Sequence, residues 1–212
     1  MTSEELAKKT NEAIILWATG KDKLIVAIDG VAGVGKTTLL NNLVKLNSDI
    51  IAVNLDDFLM ARKIFNDKLL NSQDKSKIFE LGIFDNKKIE DFIISFQTIN
   101  TPIEIDTYNH VSGEINIPKT FDFSKKIMVF DGIFTLHPQI SFTKFFNKKI
   151  YLKGNLDKIN KRRVKREKEK WGKDYFPETH PDSFVRQIII AFERYTDLYN
   201  PEKIADLVLE VD

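Results

Sequence analysis

The run Ala27-Ile28-Asp29-Gly30-Val31-Ala32-Gly33-Val34-Gly35-Lys36-Thr37-Thr38 constrains the fold more than any other stretch of this chain. It fits G-x-x-x-x-G-K-[ST], with Gly30, Gly35, Lys36 and Thr37 at the fixed positions. The apolar run Leu24 to Ile28 before it reads as a buried parallel strand. Thr38 to Val44 after it has helical periodicity. Strand, glycine loop and helix in that order predict an α/β fold in three layers: a parallel sheet of about five strands with helices on both faces. The alternative is an accidental glycine turn, and the flanking strand and helix count against it.

Glycines let the backbone reach conformations and close approaches that a Cβ would block. Successive amide N–H groups can then surround phosphate oxygens, and the helix N-terminus adds roughly half a positive charge. The loop residues Gly30, Val31, Ala32, Gly33, Val34, Gly35, Lys36, Thr37 and Thr38 are therefore the candidate phosphate cradle. Lys36 is expected to reach the β- and γ-phosphates, and the Thr37 hydroxyl to ligate Mg²⁺.

Composition limits the remaining classes. A length of 212 residues suits a single domain with at most a small insertion. A net charge of +1 gives no global field for nucleic acid or a membrane surface, and neither partner is expected. With no Cys there is no disulfide and no thiolate metal site. No apolar run reaches membrane-span length, and the N-terminus is too acidic and amphipathic for a signal peptide, so a cytoplasmic protein is expected. A homo-oligomer is compatible with all of this.

Along the chain, Thr2 and Glu5 fit a capping box for a helix to about Trp17. Ile50 to Asn54 reads as a second buried strand, and Leu55-Asp56-Asp57-Phe58 stands at its carboxyl end, where open α/β sheets bind ligands. Asp56 and Asp57 can serve as a base or in the metal's outer shell; a helix N-cap is the other reading. Residues 61–84, with Arg62 near their start, read as a polar excursion: a substrate-side flap or a plain surface loop. Asp85 caps a helix to about Phe96 whose Ile89, Phe92, Ile93 and Phe96 share one face. Residues 103–108 and 114–117 alternate, which predicts a hairpin within about 100–120 that carries Tyr108 and His110 at its tip. His110 is a candidate substrate contact or an ordinary surface residue.

Ile127 to Phe130 followed by Asp131-Gly132 is a third strand ending in an acid. Asp131 is expected to hold a Mg²⁺-bound water opposite Thr37, or else to make a strand-end turn. Another strand is expected at 148–152. The basic segment at about 155–175 carries Arg162, Arg163 and Arg166, with Arg162 and Arg166 on one helix face. A lid closing over polyphosphate, a solvated helix face and a nucleic-acid patch are the three readings. A long helix from Pro181 to about Tyr199, with Phe184, Ile188, Ala191, Phe192 and Tyr195 as its buried stripe, and a strand at 205–209 complete the chain.

These motifs, in their order, resemble the uridine kinase-like branch of the P-loop kinases, which includes phosphoribulokinase and bacterial pantothenate kinase. The resemblance spans roughly residues 22–211. It rests on Ile28-Asp29-Gly30 with Lys36-Thr37-Thr38, Leu55-Asp56-Asp57-Phe58, Phe84-Asp85-Asn86, Tyr108-Asn109-His110-Val111-Ser112, Val129-Phe130-Asp131-Gly132-Ile133, Lys161-Arg162-Arg163-Val164-Lys165-Arg166 and Ala205-Asp206-Leu207-Val208. It implies an ATP:alcohol phosphotransferase using ATP and Mg²⁺ on a small-molecule alcohol. Asp56 would match the general base, Asp131 the acid that supports Mg²⁺, and Arg162, Arg163 and Arg166 the lid arginines. Tyr108 would match a tyrosine near the nucleoside. A nucleoside is the first expectation for the acceptor; a pantothenate-like alcohol or a sugar phosphate is the alternative.

Three departures bear on the acceptor and leave phosphoryl transfer intact. Leu59 stands where uridine kinases carry an aromatic that packs on the base. Gly113 stands where uridine–cytidine kinases place a base-reading His. The acidic-His-Pro element used at the ribose is missing, Glu80 being the nearest acid. A regulatory nucleotide-binding protein without kinase activity is the rival class. A guanine-reading Asn-Lys-x-Asp is absent, since the Asn-Lys pairs at 86, 147 and 160 lack the Asp.

Overall fold

The computed structural model describes residues 2–172, 175–180 and 183–211, with the side chains of Arg166, Lys170 and Trp171 outside that description. Five parallel strands form the central sheet: β1 (Leu24–Gly30), β2 (Ile50–Asn54), β5 (Ile127–Asp131), β6 (Lys148–Gly154) and β7 (Leu207–Val211). Their spatial order is β2-β5-β1-β6-β7. β1 lies at the centre, with Ile28 level with Asp131 on one side and Ile150 on the other. Side chains alternate across a strand, so β1 feeds two cores. Ile25 and Ala27 join the cluster under the hairpin, whereas Leu24, Val26 and Ile28 join the cluster under the N-terminal helices. Both faces are covered, which is why the strands read as near-continuous apolar runs.

One face carries α1 (Ser3–Ala18) and α2 (Lys36–Leu46). The expected capping box opens α1: the Glu5 N–H donates to Thr2 Oγ1 (3.2 Å) and the Thr2 N–H to Glu5 Oε2 (2.8 Å). The other face carries α5 (Asn86–Thr98), capped by Asp85, whose Ile89, Phe92, Ile93 and Phe96 are all buried as expected. Phe92 stands at the centre of this core, with Phe58, Phe121 and Phe123 rings at 5.1, 4.8 and 5.1 Å.

Residues 61–84 are not a plain surface loop. They fold into α3 (Arg62–Leu70) and α4 (Lys75–Leu81), the second capped by the Asp74 carboxylate on Ser76 and Lys77 N–H. The Phe65–Phe79–Phe184 ring series joins the two to each other and to the helix at 184–199, while Leu81 packs against the core on the hairpin side of the sheet. The hairpin pairs β3 (Pro102–Tyr108) with β4 (Ile115–Asp122) and carries a bulge at Thr107/Tyr108.

The basic segment is the helix α6 (Leu156–Trp171), capped by Asn155. Pro181 and Asp182, expected at the start of the next helix, lie outside the described residues. Ser183 caps α7 (Phe184–Tyr199), and Asn200 in the left-handed region leads into α8 (Pro201–Ile204). Of the expected buried stripe, Ala191, Phe192 and Tyr195 are buried, but Phe184 is 55% exposed. It sits one position after the cap and meets Phe79 of α4, ring centroids 5.6 Å apart. The last strand runs two residues beyond the expected 205–209, because Ala205 and Asp206 form the turn that bonds back to Lys149.

Candidate active site

The glycine loop joins β1 to α2 as its sequence requires. Gly30, Gly33 and Gly35 have φ of +146°, +88° and +112°. At Gly30 the space is also closed: a Cβ there would lie 2.5 Å from the Leu152 carbonyl oxygen on β6. Gly35 opens α2 without a capping side chain, so the first-turn amides remain for a ligand anion. Lys36 is buried, and its ammonium donates to the carbonyls of Gly30 (2.7 Å) and Val31 (3.2 Å).

Thr37 and Asp131 meet. The Thr37 hydroxyl donates to Asp131 Oδ2 at 2.5 Å. Asp131 ends β5, level with Asn54 of β2 and Ile28 of β1, so the sheet register delivers it to the loop. Burial above all pushes its carboxyl pKa up, and the carboxylates of Asp56 and Asp29 push the same way. The Lys36 ammonium and the Thr37 hydroxyl oppose this. A hydroxyl and a buried carboxylate side by side form the hard-oxygen donor set that suits Mg²⁺, and the residues present fit that ion.

Asp56 lies in the 3₁₀ turn Leu55–Phe58 that follows β2, and it is exposed. The helix-cap reading for the Asp pair does not hold. Asn54 is the cap, its Oδ1 accepting from the Asp56 N–H at 2.9 Å, so both carboxylates project from the first turn. Asp57 pairs with Lys119 of β4 (2.6 Å), tying this turn to the hairpin. β3 packs against the same turn.

Tyr108 and His110 are neighbours at the hairpin tip, ring centroids 5.1 Å apart. Arg62, expected on the acceptor side, spends its guanidinium on the carbonyls of His110 (3.0 Å) and Val111 (3.4 Å), and its N–H on Gly113 (2.7 Å). This contact explains Gly113: φ is +79° and a Cβ would sit 2.6 Å from Arg62 Cβ, so no larger residue fits there.

Among the three arginines at 162, 163 and 166 on α6, Arg163 turns inward. It is 4% exposed, pairs with Glu178, and its Nε has no hydrogen-bond partner. Its Cβ and Ile159 approach the Gly33 position at 3.7 and 3.6 Å, so α6 rests on the glycine loop. Arg162 is exposed. Arg166 is on the same helix, and its side chain lies outside the described residues.

Four residues beneath the loop were given no functional role by sequence: Glu80, His137, Arg194 and Tyr195. Asp29 was seen only as part of the motif. Asp29 is fully buried and accepts from the Gly30 N–H (2.6 Å), the Leu136 N–H (3.0 Å) and the Tyr195 hydroxyl (2.6 Å). Burial pushes its pKa up, against those donors and Lys36. The usable signal was a charged residue inside an apolar strand, which obliges some distant donor to meet it. Glu80 is likewise buried and bonded to His137 and Arg194, so it is consumed inside the protein.

The comparisons with known proteins agree with this architecture. The phosphoribulokinase/uridine kinase family matches residues 25–210. No curated protein sequence matches the chain. Among solved structures, a possible uridine kinase from Bacillus stearothermophilus is similar at 17% identity and TM-score 0.68, over 96% of each chain. A D-glycerate 3-kinase from Cryptococcus neoformans is similar at 12% identity and TM-score 0.66, over 91% of this chain and 89% of that one. Phosphoribulokinase from Rhodobacter spheroides follows at 10% identity and TM-score 0.61, over 90% and 71%. At such identities the structures speak for the fold.

Proposed function

The chain belongs to the phosphoribulokinase/uridine kinase family, and from that premise we propose that it transfers the γ-phosphoryl group of ATP to a hydroxyl of a small-molecule alcohol. One observation carries the proposal. The phosphate loop, the Thr37–Asp131 pair and Asp56 converge at the carboxyl ends of three adjacent strands, β1, β5 and β2. The loop amides and Lys36 grip the phosphates. Lys36 exchanges its bonds to the Gly30 and Val31 carbonyls for phosphate oxygens. Thr37 and Asp131 would hold Mg²⁺, which when bound would supply charge neutralisation at the phosphoryl oxygens. Asp56, exposed beside them, accepts the proton of the attacking hydroxyl. Arg162 and Arg166 close over the polyphosphate and exclude water, and Arg163 on the same helix joins them by exchanging Glu178 for phosphate oxygens. A cytoplasmic location belongs to the same proposal.

For the acceptor, a nucleoside lying against Tyr108 and His110 at the hairpin is the first reading. A second reading, a non-nucleoside alcohol such as glycerate, a sugar phosphate or pantothenate, is favoured by Glu80. The acid nearest in sequence to where the ribose element would stand is bonded to Arg194 and His137 inside the protein. The test is an acceptor panel with ATP and Mg²⁺, scoring ADP release above the no-acceptor rate. Release with a nucleoside or with one of the other alcohols chooses between the two readings. Nucleotide binding with no release for any alcohol would return the protein to the regulatory class.

A further inference from the structure

A buried polar assembly lies beneath the phosphate loop, outside the residues that would touch nucleotide or acceptor. It has two acidic centres. Asp29, at the base of the loop, receives the Leu136 N–H and the Tyr195 hydroxyl in addition to Gly30. Glu80, on α4, receives Arg194 Nε at 2.6 Å and faces His137 Nε2 at 3.0 Å. His137 Nδ1 accepts from the Gln139 N–H (3.1 Å), so the ring proton is on Nε2 and points at Glu80. Arg194 also reaches Ser76 Oγ (2.9 Å) and Asp74 (3.4 Å) at the start of α4. The His137 ring stacks on the Tyr195 ring, centroids 5.1 Å apart and 25° between planes.

The bonding repeats itself. Residues 136 and 137 bind Asp29 and Glu80 in that order, and residues 195 and 194 do the same from α7. Successive helix residues project about 100° apart, so Arg194 and Tyr195 can serve two different neighbours. The first residue of the loop is gripped on both sides: the Gly30 N–H is held by Asp29, and the Gly30 carbonyl receives Lys36.

We propose that this double clamp fixes the phosphate loop and α4 in one relation, with Tyr195 and Glu80 as positioning residues for phosphoryl transfer. Tyr195 acts through Asp29 on Gly30 and Lys36. Glu80 acts through Arg194 and His137 on the same turn of α7. The inference rests on the kinase reading, since it assigns the clamp's effect to nucleotide phosphates.

The experiment titrates the full chain with ADP·Mg²⁺ by calorimetry, well below the melting temperature, for wild type, Tyr195→Phe, Glu80→Gln and the double variant. Circular dichroism verifies folding in each. Tyr195→Phe is expected to weaken ADP·Mg²⁺ about tenfold, the size of one hydrogen bond to a charged group. Glu80→Gln is expected to weaken it about threefold by loosening α7, since the amide offers one acceptor oxygen where the carboxylate offered two and turns its NH₂ towards Arg194 or His137, both donors. The double variant should lose less than the product of the two, because either change releases the clamp. A merely structural network would lower melting temperatures and leave these affinities unmoved. Wild-type affinity in both folded single variants overturns the clamp. If Tyr195→Phe does not fold, the affinity of Glu80→Gln decides alone, and a wild-type value there overturns the clamp. Failure of the wild type to bind ADP·Mg²⁺ overturns the kinase reading together with the clamp, which separates the two failures.

Discussion

On the proposed mechanism, Asp56 is the residue whose loss should separate chemistry from binding. Asp56→Asn keeps the cap from Asn54 and the shape of the 3₁₀ turn but cannot take a proton. The turnover number is expected to fall about 10²–10⁴-fold, the usual contribution of a general base, with the KM for ATP little changed. Steady-state kinetics on the best acceptor of the panel would check this, and near-normal turnover would remove Asp56 from the role. Gly30 makes a different demand. Alanine there meets the Leu152 carbonyl at 2.5 Å and must adopt φ of +146°. Gly30→Ala is expected to cost about 1–3 kcal/mol of stability and to abolish ADP·Mg²⁺ binding, as read by urea titration and calorimetry. The sequence motif alone placed Gly30, because a fixed-spacing loop is a local property. Tyr195 was legible only as a core aromatic, since its hydroxyl partner is 166 residues away.

At the scale of elements, strands and long amphipathic helices were legible because burial leaves a period in the sequence. The strands of the sheet and the α5 stripe follow directly from it. α3 and α4 did not, because each is short and buries little: Leu69 of α3 and Ser76, Phe79 and Glu80 of α4. A short helix with a polar buried residue lacks the apolar stripe that periodicity detects. Phe92 is the element-scale test of the acceptor side. Its ring contacts tie α5 to the 3₁₀ turn through Phe58 and to the hairpin through Phe121 and Phe123. Phe92→Ala is expected to destabilise the fold by about 3–5 kcal/mol in urea unfolding. It should also raise the acceptor KM more than the ATP KM, since the phosphate loop lies on β1 with its own core on the opposite face.

For the whole molecule, the site carries buried charge that stability alone would not keep. Burial pushes the Asp131 carboxyl up in the folded protein, so the folded state binds its proton more tightly than the unfolded chain does. The sign follows: Asp131's contribution is most favourable below the unfolded carboxylate pKa and is lost as pH rises through the folded value. Asp131→Asn can still accept from Thr37 and removes that loss. In metal-free, nucleotide-free buffer the variant should melt above wild type at neutral pH, by about 2–4 °C per kcal/mol recovered. The difference should shrink as pH falls through the folded value and then below the unfolded one, where both side chains are neutral. Mg²⁺-dependent nucleotide binding should be lost with it. A variant less stable than wild type at every pH would show that the carboxylate is held without cost.

The Asp29–Tyr195 bond also sets an order of events in the cell. A ribosome completes the glycine loop long before it reaches α7, so the emerging chain carries that loop with its acid still unanswered by the tyrosine. On the proposed clamp, competence to grip nucleotide therefore arrives only after α7 has emerged, and a chain cut short before α7 should leave the ribosome unable to bind ADP·Mg²⁺.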